Sequence, residues 1–471
     1  GKTKTAILMA VERLNNYAFA KVLVCSPTKP LASQICKEFQ ECTNIPLEEI
    51  NLLTGIMNPE ERRKVWKNSQ VVVATPQTIE NDLEHKRITL EDVSLLCIDE
   101  CHRSKENFAN TVVAKEYYRQ AKHPRVMGLT ASPGSSKEII DFVCKNLGIE
   151  AVEIRTEDDE DIKEYIQEKK TEFIRVNLSR ELQEIADLLR PVYLGKVHDL
   201  RKFGLVKPVN VVNKRDLLLM QGQLQGEIRS GNPVAFRGIS LVAQCIKLRY
   251  LLDLVETQSI AAAKEYLEKI EKEKSKAATF LRNMEVMKKI KAKIEEADAK
   301  KIKHPKIEKI LEKVKEEVKN PEARIIVFAS LRSMVDELVK ECEEAGIKAK
   351  KFVGQADKKN KGLKQKEQLQ TIQEFKERKF NVLVASSVGE EGLDIPEVSA
   401  VMFYEPVPSE LRRVQRSGRT GRTKPGKIIY FITAKTRDEA YHWVAQKKEN
   451  KMRNILRSMK RKQEVQTSLI P

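Results

Sequence analysis

Short runs of aliphatic residues recur through the first third of the chain, and segments of helical periodicity separate them. The runs are Val22–Cys25, Val71–Ala74, Val93–Ile98 and Val126–Leu129. Runs of this length that are apolar throughout are typical of strands buried on both faces of a parallel sheet. The segments between them, such as the one from Leu31 to about Cys42, predict helices that cover that sheet.

A second region of the same kind begins after His304 and Pro305. Its predicted strands are Ile325–Phe328, Ala349–Val353, Val382–Ala385, Val401–Tyr404 and Ile428–Ile432. We therefore expect a second α/β domain of the first one's general type. Two such domains that face each other form a cleft in which a nucleotide can be shared.

The middle of the chain has a different character. After one more predicted strand, from Thr171 to Asn177, no Gly or Pro occurs between Ile239 and His304. Ala, Leu, Glu and Lys dominate this interval, so it should form long helices packed as a bundle. The lysine-rich stretch from Lys288 to Lys293 has two interpretations, a solvated face or a grip on nucleic acid.

These patterns divide the chain into four parts. Residues 1–177 form a first α/β domain, 178–304 a helical domain, 305–445 a second α/β domain, and 446–471 a basic tail. The fold class is α/β, with two parallel-sheet domains and an all-helical insertion between them. The tail carries eight Lys or Arg against one Glu between residues 446 and 463, which predicts an amphipathic basic helix.

Composition limits the classes of function. The net charge of +18 favours a polyanionic partner, although a basic protein without such a partner is the alternative. Eight cysteines are scattered without a C-x-x-C pair, and we favour free thiols in a reducing compartment over a zinc site. No apolar run is long enough to span a membrane. The chain starts at Gly1 without Met, so we expect a segment of a longer protein, and a signal peptide remains open.

The acidic motif after the predicted strand Val93–Ile98 is the central chemical feature. Apolar residues run directly into Asp99 and Glu100, and His102 follows. Ligands bind at the carboxyl ends of strands in open α/β sheets. There Asp99 could hold Mg²⁺ through a water, and Glu100 could polarise an attacking water.

The first three residues supply the expected partner of that motif. Gly1, Lys2 and Thr3 match the end of the P-loop pattern G-x-x-x-x-G-K-[ST], at the head of an amphipathic helix. In that chemistry Lys2 binds the β- and γ-phosphates, and the Thr3 hydroxyl binds Mg²⁺. The tripeptide alone is weak evidence, but its distance from Asp99 and Glu100 strengthens it.

Polar residues also follow the other predicted strands. Thr28, Lys29, Thr75 and Thr130 lie just past strand ends, where hydroxyl, ammonium and N–H groups suit contacts with a phosphodiester backbone. Each threonine taken singly is an ordinary helix N-cap. Their repetition at equivalent positions is what favours a binding edge.

A basic loop and an acidic turn complete the set of candidates. Gln415, Arg419 and Arg422 form the pattern Q-x-x-G-R-x-x-R after a short predicted helix, and the two arginines could reach a γ-phosphate across the cleft. Upstream, Gly392 permits close backbone approach and Asp394 could accept a ribose hydroxyl. The alternative for that segment is a tight acidic turn.

Together these motifs resemble the superfamily 2 helicases and translocases, and more narrowly the archaeal Hef helicase–nucleases and the Fanconi anaemia M-type fork remodellers. The segments that carry the narrower resemblance are Thr75–Asp82, Gly128–Gly134, Gly389–Asp394 and Tyr404–Ser409. The resemblance covers nearly the whole chain and lacks only an N-terminal strand and an upstream nucleotide-recognition segment. It implies two RecA-like domains, with a helical insertion that contacts branched DNA.

The resemblance also implies roles, with ATP and Mg²⁺ as cofactors. Nucleotide and Mg²⁺ would be bound by Gly1, Lys2, Thr3, Asp99, Gly392 and Asp394, and Glu100, Gln415, Arg419 and Arg422 would be catalytic. Hydrolysis would be coupled to domain motion by His102, Thr130 and Ser132, and the strand backbone would be contacted by Thr28, Lys29, Thr75 and Pro76.

We therefore expect an ATP-dependent DNA helicase or translocase acting on forked, branched or single-stranded DNA in replication-fork repair. It would be cytoplasmic, nucleoid-associated in a prokaryote and without membrane contact, and its partners would be a nuclease domain or partner nuclease outside this chain and a sliding clamp or other repair protein. Cys101 is a departure, because many Hef-like proteins have Ala there, and it leaves an RNA-dependent ATPase of the RIG-I-like or Dicer type as the alternative. The incomplete P-loop leaves a third interpretation, a non-catalytic nucleic-acid scaffold.

Overall fold

Two parallel sheets and a helical bundle make up the computed structural model of the chain. The structure describes residues 2–131, 133–134, 136–155, 159–163, 167–354, 365–386, 395–407, 420–421 and 425–468. The predicted fold class is confirmed. None of the helices in the described part of the chain combines the length and apolar character that crossing a membrane requires.

The first sheet has five parallel strands. They are β1 (Lys21–Cys25), β2 (Ile50–Leu53), β3 (Val71–Ala74), β4 (Val93–Asp99) and β5 (Val126–Leu129), in the order β2-β3-β1-β4-β5. The covering helices are α1 (Lys2–Asn16), α2 (Lys29–Cys42), α3 (Pro59–Asn68), α4 (Pro76–Glu84), α5 (Ala109–Gln120) and α6 (Lys137–Leu147). The four predicted strands are confirmed. Strand β2 escaped prediction because it is a four-residue edge strand interrupted by Asn51.

The second sheet has six parallel strands. They are β6 (Lys169–Val176), β7 (Ile325–Phe328), β8 (Ala349–Phe352), β9 (Val382–Ala385), β10 (Ala400–Phe403) and β11 (Gly426–Thr433), in the order β6-β11-β10-β7-β9-β8. A short helix, α7 (Glu160–Lys163), precedes β6. The other helices of this domain, numbered after those of the bundle, are α14 (Pro305–Glu317), α15 (Arg332–Glu344), α16 (Gln365–Lys376) and α17 (Arg437–Ser468), which contains the predicted basic tail helix.

Strand β6 corrects the predicted domain boundary at residue 177. That boundary grouped the strand with the first domain, but all eight of its residues pair in register with β11, so it forms an edge of the second sheet. The prediction was wrong because a strand's own sequence does not indicate which sheet it joins. The second sheet therefore contains one strand, β6, that precedes the bundle in the chain, and five strands, β7 to β11, that follow it.

The bundle is formed by the part of the chain between strand β6 and helix α14. Its helices are α8 (Arg180–Asp199), α9 (Lys214–Arg229), α10 (Ala235–Thr257), α11 (Ile260–Lys272), α12 (Lys276–Arg282) and α13 (Glu285–Ala299). Helix α10 packs on α8 and α9, and its Leu248 and Leu251 are buried in the bundle core. The long predicted helical interval is divided where Ser259 and Ser275 cap new helices with their side chains.

Buried polar contacts join the C-terminal end of α10 to the second domain. The Tyr404 hydroxyl donates to the Gln258 carbonyl at 2.6 Å, and Arg437 pairs with Asp253. Beside them, Lys306 Nζ lies 2.9 Å from Asp438 Oδ2, with both side chains almost completely buried. Buried polar groups are stabilised only when they are paired, so the contacts of Tyr404 and Arg437 fix how the bundle sits on the second domain.

His304, at the start of α14, should make stability depend on pH. Its ring nitrogens contact the Glu256 carbonyl at 3.1 Å and the Lys306 N–H at 3.2 Å. Burial, and then the charge of Lys306, lower the pKa of His304 to about 3. Unfolded histidine titrates near pH ~6.5, so the unfolded state binds the extra proton between those values and stability falls as the pH falls through that window.

From pH 7 to pH 5 we expect the free energy of unfolding to drop by about 2 kcal/mol from this residue. Urea titrations of the parent and of His304→Asn at both pH values measure it. Asparagine keeps an N-cap acceptor for the Lys306 N–H but does not titrate. An equal pH dependence in the two proteins would contradict the role of His304.

Candidate nucleotide-binding site

Several of the predicted site residues lie together at the carboxyl edge of the first sheet. Strands β1, β3, β4 and β5 run parallel, so the residues that follow them share one edge. The N-terminal end of α1 reaches the same edge, because Lys2 Nζ lies 3.0 Å from Glu100 Oε1. Residues 98 positions apart are thus in contact, as the combination of the P-loop end and the acidic motif predicts.

The acidic motif has an unusual backbone. Glu100 adopts the left-handed conformation, with φ 49° and ψ 47°, between β4 and a short 3₁₀ turn at Cys101–Arg103. This conformation is uncommon for a residue other than glycine, and such strain is concentrated at functional sites. It directs Glu100 toward Lys2 and His102, while Asp99 stays beside β1, where the Ser26 hydroxyl donates to Asp99 Oδ2 at 3.4 Å.

The two adjacent carboxyl groups are perturbed in opposite directions. Burial, and then the charge of Glu100, raise the pKa of Asp99. Burial alone would also raise the pKa of Glu100, but the hydrogen bond from His102 and the charge of Lys2 lower it to about 2. Glu100 is therefore ionised at neutral pH and able to attract the proton of a water molecule.

His102 connects the acidic motif to the end of β5. Its Nδ1 lies 2.9 Å from Thr130 Oγ1 and 3.2 Å from Glu100 Oε2. One ring nitrogen therefore faces both the candidate catalytic carboxylate and the threonine that follows the next strand. The structure brings these two predicted coupling residues together.

The side-chain oxygen atoms of Thr3 and Asp99 are of the kinds that bind Mg²⁺. A P-loop magnesium site takes one hydroxyl and one carboxylate from the protein, and phosphate oxygens and waters complete it. Thr3 and Asp99 are of those types, and Asp99 is held at the sheet edge by Ser26. Within the described ranges no group of three or more His, Cys, Asp or Glu side chains is placed to hold a metal ion.

Ser26 is a site residue that the sequence analysis missed. It is completely buried at the end of the central strand β1 and contacts Asp99. A hydroxyl directly after a central apolar strand was the available signal. Thr28 and Thr75 were selected for the same kind of position, just past the end of a strand.

The candidate strand-contacting residues have structural roles that do not exclude binding. The Thr28 hydroxyl accepts from the Leu31 N–H at 3.5 Å and caps α2, which is the ordinary role considered for it. Lys29 and Pro76 are the first residues of α2 and α4. Thr75 instead contacts the Thr78 hydroxyl at 2.8 Å and does not cap α4 with its side chain.

Several predicted site residues lie outside the described residues. They are Gly1, Ser132, Gly392, Asp394, Gln415, Arg419 and Arg422. Thr420, between the two candidate finger arginines, is described: it is completely buried, and its hydroxyl donates to the Val398 carbonyl at 2.6 Å. That contact holds Thr420 against the second domain.

Gly128 on β5 faces Cys101, the residue that follows Glu100 in the acidic motif. A Cβ atom there would lie 2.9 Å from Ile149 Cδ1 and 3.1 Å from Cys101 Sγ. Gly128→Ala should therefore destabilise the protein by about 1–3 kcal/mol and lower its ATP hydrolysis, because Cys101 directly follows Glu100. Thermal unfolding and phosphate release measure the two effects.

Gly195→Ala is the matched control for that substitution. Gly195 lies inside α8 with no atom near its missing Cβ, so alanine should be neutral or stabilise by up to about 1 kcal/mol. Equal stabilities of the two variants would contradict the packing argument at Gly128.

Three family models match successive parts of the chain. Residues 1–140 match the DEAD/DEAH box helicase model, and residues 305–424 match the helicase conserved C-terminal domain. Residues 181–304 match a model described as the helical bundle of a putative ATP-dependent RNA helicase. The three matches follow the division into two α/β domains and a bundle.

Known proteins resemble the chain over almost all of its length. The crystal structure of the Pyrococcus furiosus Hef helicase domain is 43% identical, with a TM-score of 0.74 and coverage of 94% of this chain and 92% of that one. The putative ATP-dependent RNA helicase MJ1505 of Methanocaldococcus jannaschii is 36% identical over 98% of this chain. The ATP-dependent DNA helicase mph1 of Neurospora crassa is 33% identical over 92% of it. The chain spans 58% and 39% of the lengths of these two curated relatives.

Proposed function

This chain belongs to the superfamily 2 helicases of the Hef and Fanconi anaemia M type, and we propose that it is an ATP-driven motor that remodels forked or branched DNA. The observation that carries the proposal is the contact of Lys2 with Glu100 at 3.0 Å, at the edge where Asp99 and Thr130 also lie. It joins a phosphate-binding lysine to a candidate water-polarising carboxylate. Nucleoside triphosphate hydrolysis needs both in one place.

The Lys2–Glu100 ion pair also suggests the order of events. When the triphosphate binds, Lys2 leaves Glu100 for the β- and γ-phosphates, and Glu100 becomes available to a water molecule. Thr3 and Asp99 would hold Mg²⁺, which supplies positive charge opposite the charge that develops on the transferring phosphoryl group. Arg419 and Arg422 would contact the γ-phosphate from the second domain.

Hydrolysis would be transmitted through His102. Loss of the γ-phosphate changes the surroundings of Glu100, and the His102 ring carries that change to Thr130 through its contacts of 3.2 and 2.9 Å. Thr28, Lys29, Thr75 and Pro76 would hold the strand backbone along the same sheet edge. Backbone contact predicts affinity that falls steeply with salt and depends little on sequence.

One finding favours an RNA-dependent ATPase as the second candidate. The Methanocaldococcus relative and the matched helical-bundle model are both described as RNA helicases. The Neurospora relative is described as a DNA helicase. The substrate class must therefore be measured.

The test is ATP hydrolysis with single-stranded, duplex, forked and four-way DNA and with duplex RNA. We expect forked and four-way DNA to stimulate hydrolysis most. Preferential stimulation by duplex RNA would favour the second candidate. If no nucleic acid stimulates hydrolysis while binding is intact, the chain would be a scaffold and the proposal would be wrong.

A further inference from the structure

The cysteines of the chain differ in exposure, and all eight lie within the described residues. Cys42 is the exposed one among them, Cys144 is half-buried, and the other six are buried. Burial raises the pKa of the Cys25 and Cys101 thiols to about 12, so these two groups stay protonated and react slowly with oxidants in water. Cys42 is therefore the thiol that is most open to chemical modification.

A lysine from another helix contacts this thiol. Lys4, in the first turn of α1, donates a hydrogen bond from Nζ to the Sγ of Cys42, the last residue of α2, although 38 positions separate the two residues. That bond is the main cause that raises the pKa of Lys4, and the charges of Glu38 and Glu41 act in the same direction. The amine nitrogen therefore lies directly against the sulfur.

The packing of the two helices brings these groups together. Ala10 of α1 and Phe39 of α2 are completely buried in one hydrophobic cluster against the first sheet. Lys4 and Cys42 themselves are exposed, so a small oxidant can reach the pair from solvent. Groups that the fold holds in contact react far faster than the same groups free in solution.

We propose that Lys4 and Cys42 form a reversible, oxidant-driven cross-linking site, an inference that does not depend on the function proposed above. Hydrogen peroxide first oxidises the Cys42 thiol to a sulfenic acid, in which the sulfur gives up two electrons and the peroxide is reduced to water. The neutral amine of Lys4 then attacks that sulfur. A nitrogen–sulfur bond forms, the sulfur–oxygen bond breaks, and the hydroxyl group leaves with a proton of the amine as water.

Two features of this chemistry follow from the contact. Only the neutral fraction of the Lys4 amine attacks, and its position against the sulfur offsets how small that fraction is. A low-molecular-weight thiol reverses the reaction: its sulfur attacks the Cys42 sulfur, the nitrogen–sulfur bond breaks, and the amine leaves. A second thiol then reduces the mixed disulfide and restores Cys42.

The cross-link ties the first turn of α1, which contains Lys2 and Thr3, to the end of α2. It closes a loop that includes β1 and all of α2. A covalent link across such a loop restricts the unfolded chain and so stabilises the folded one. We expect oxidation to raise the midpoint of thermal unfolding by about 5–10 °C.

The test treats the parent protein with hydrogen peroxide, without nucleotide or nucleic acid, and analyses it by mass spectrometry before and after dithiothreitol. We expect a product lighter by two hydrogen atoms, and after protease digestion a linked pair of peptides that contain Lys4 and Cys42. Dithiothreitol should reverse both changes. The rise in the unfolding midpoint should follow the linked fraction.

Two variants separate the cross-link from simple oxidation of the thiol. Lys4→Arg keeps the positive charge and a hydrogen-bond donor but removes the amine, so it should accumulate the sulfenic acid, which dimedone traps, and form no link. Lys37→Arg is the matched control: Lys37 lies on α2 and pairs with Glu41 at 3.5 Å, and this variant should cross-link like the parent.

Three results would overturn the inference. They are oxidation of Cys42 that stops at the sulfenic or sulfinic acid in the parent, a link that still forms in Lys4→Arg, and modification of another cysteine before Cys42. None of these measurements involves ATP. Failure of the parent to hydrolyse ATP with any nucleic acid would contradict the proposed function alone.

Discussion

Replacing Glu100 with glutamine should slow nucleic-acid-stimulated ATP hydrolysis by about 10²- to 10⁴-fold, the range that a positioned general base contributes. The substitution keeps the shape of the side chain, and glutamine can occupy the same left-handed backbone position at no greater cost. It removes the negative charge that the His102 hydrogen bond and the Lys2 ammonium stabilise against burial when they lower the pKa of Glu100 to about 2. Binding of ATP should persist, because Lys2, the proposed phosphate ligand, is retained and is released from its ion pair.

The measurement is phosphate release at saturating ATP and nucleic acid, with nucleotide affinity determined in parallel. Glu91→Gln is the matched control: Glu91 is also paired with a lysine, Lys122 at 2.9 Å, but it lies on the exposed surface of the same domain. Parent-like hydrolysis by Glu100→Gln would refute the assignment of Glu100. Equal loss in both variants would point to a general effect on the domain.

Asp438→Asn should destabilise the second domain by about 3–5 kcal/mol, because it leaves the buried Lys306 ammonium without its counter-charge. Lys306 has no exposed side-chain surface, and Asp438 Oδ2 lies 2.9 Å from its Nζ. The ring of Tyr404 lies 4.3 Å from Nζ and is a weaker partner than a carboxylate. The same substitution also weakens the bond from the Thr433 N–H to Asp438.

A double-mutant cycle isolates the ion pair from that second effect. Lys306→Met combined with Asp438→Asn removes both charges, and it should recover more than half of the stability lost in the single variant. Urea unfolding of the four proteins gives the coupling energy. If Asp438→Asn unfolds within about 1 kcal/mol of the parent, the pair does not stabilise the second domain as described.

The parts of the fold that the sequence predicted are those in which local composition decides the outcome. Strands buried on both faces, such as β3 and β9, are apolar at every position and are recognised directly. Strand β6 shows the limit: its existence was predicted, but its partner β11 lies some 250 residues away and only the folded chain reveals the pairing.

In the candidate site, too, some features could be predicted from the local sequence and others depend on the folded chain. Asp99, Glu100 and Lys2 were selectable because phosphate chemistry requires those residue types, and the contact between Lys2 and Glu100 agrees with that selection. The left-handed backbone of Glu100 depends on the packing of neighbouring strands and gave no such signal. Ser26 gave the weaker signal of a hydroxyl directly after an apolar strand. Gln415, Arg419 and Arg422 stay predictions, since they lie outside the described residues.

Helix α10 has the geometry of a lever arm. Its 23 residues make it about 35 Å long, and one end is held to the second sheet by Tyr404 and Arg437. A rotation of that sheet by ~10° would therefore swing the far end, next to Arg229, through roughly 6 Å. That displacement approaches the rise of two base steps, at about 3.4 Å each.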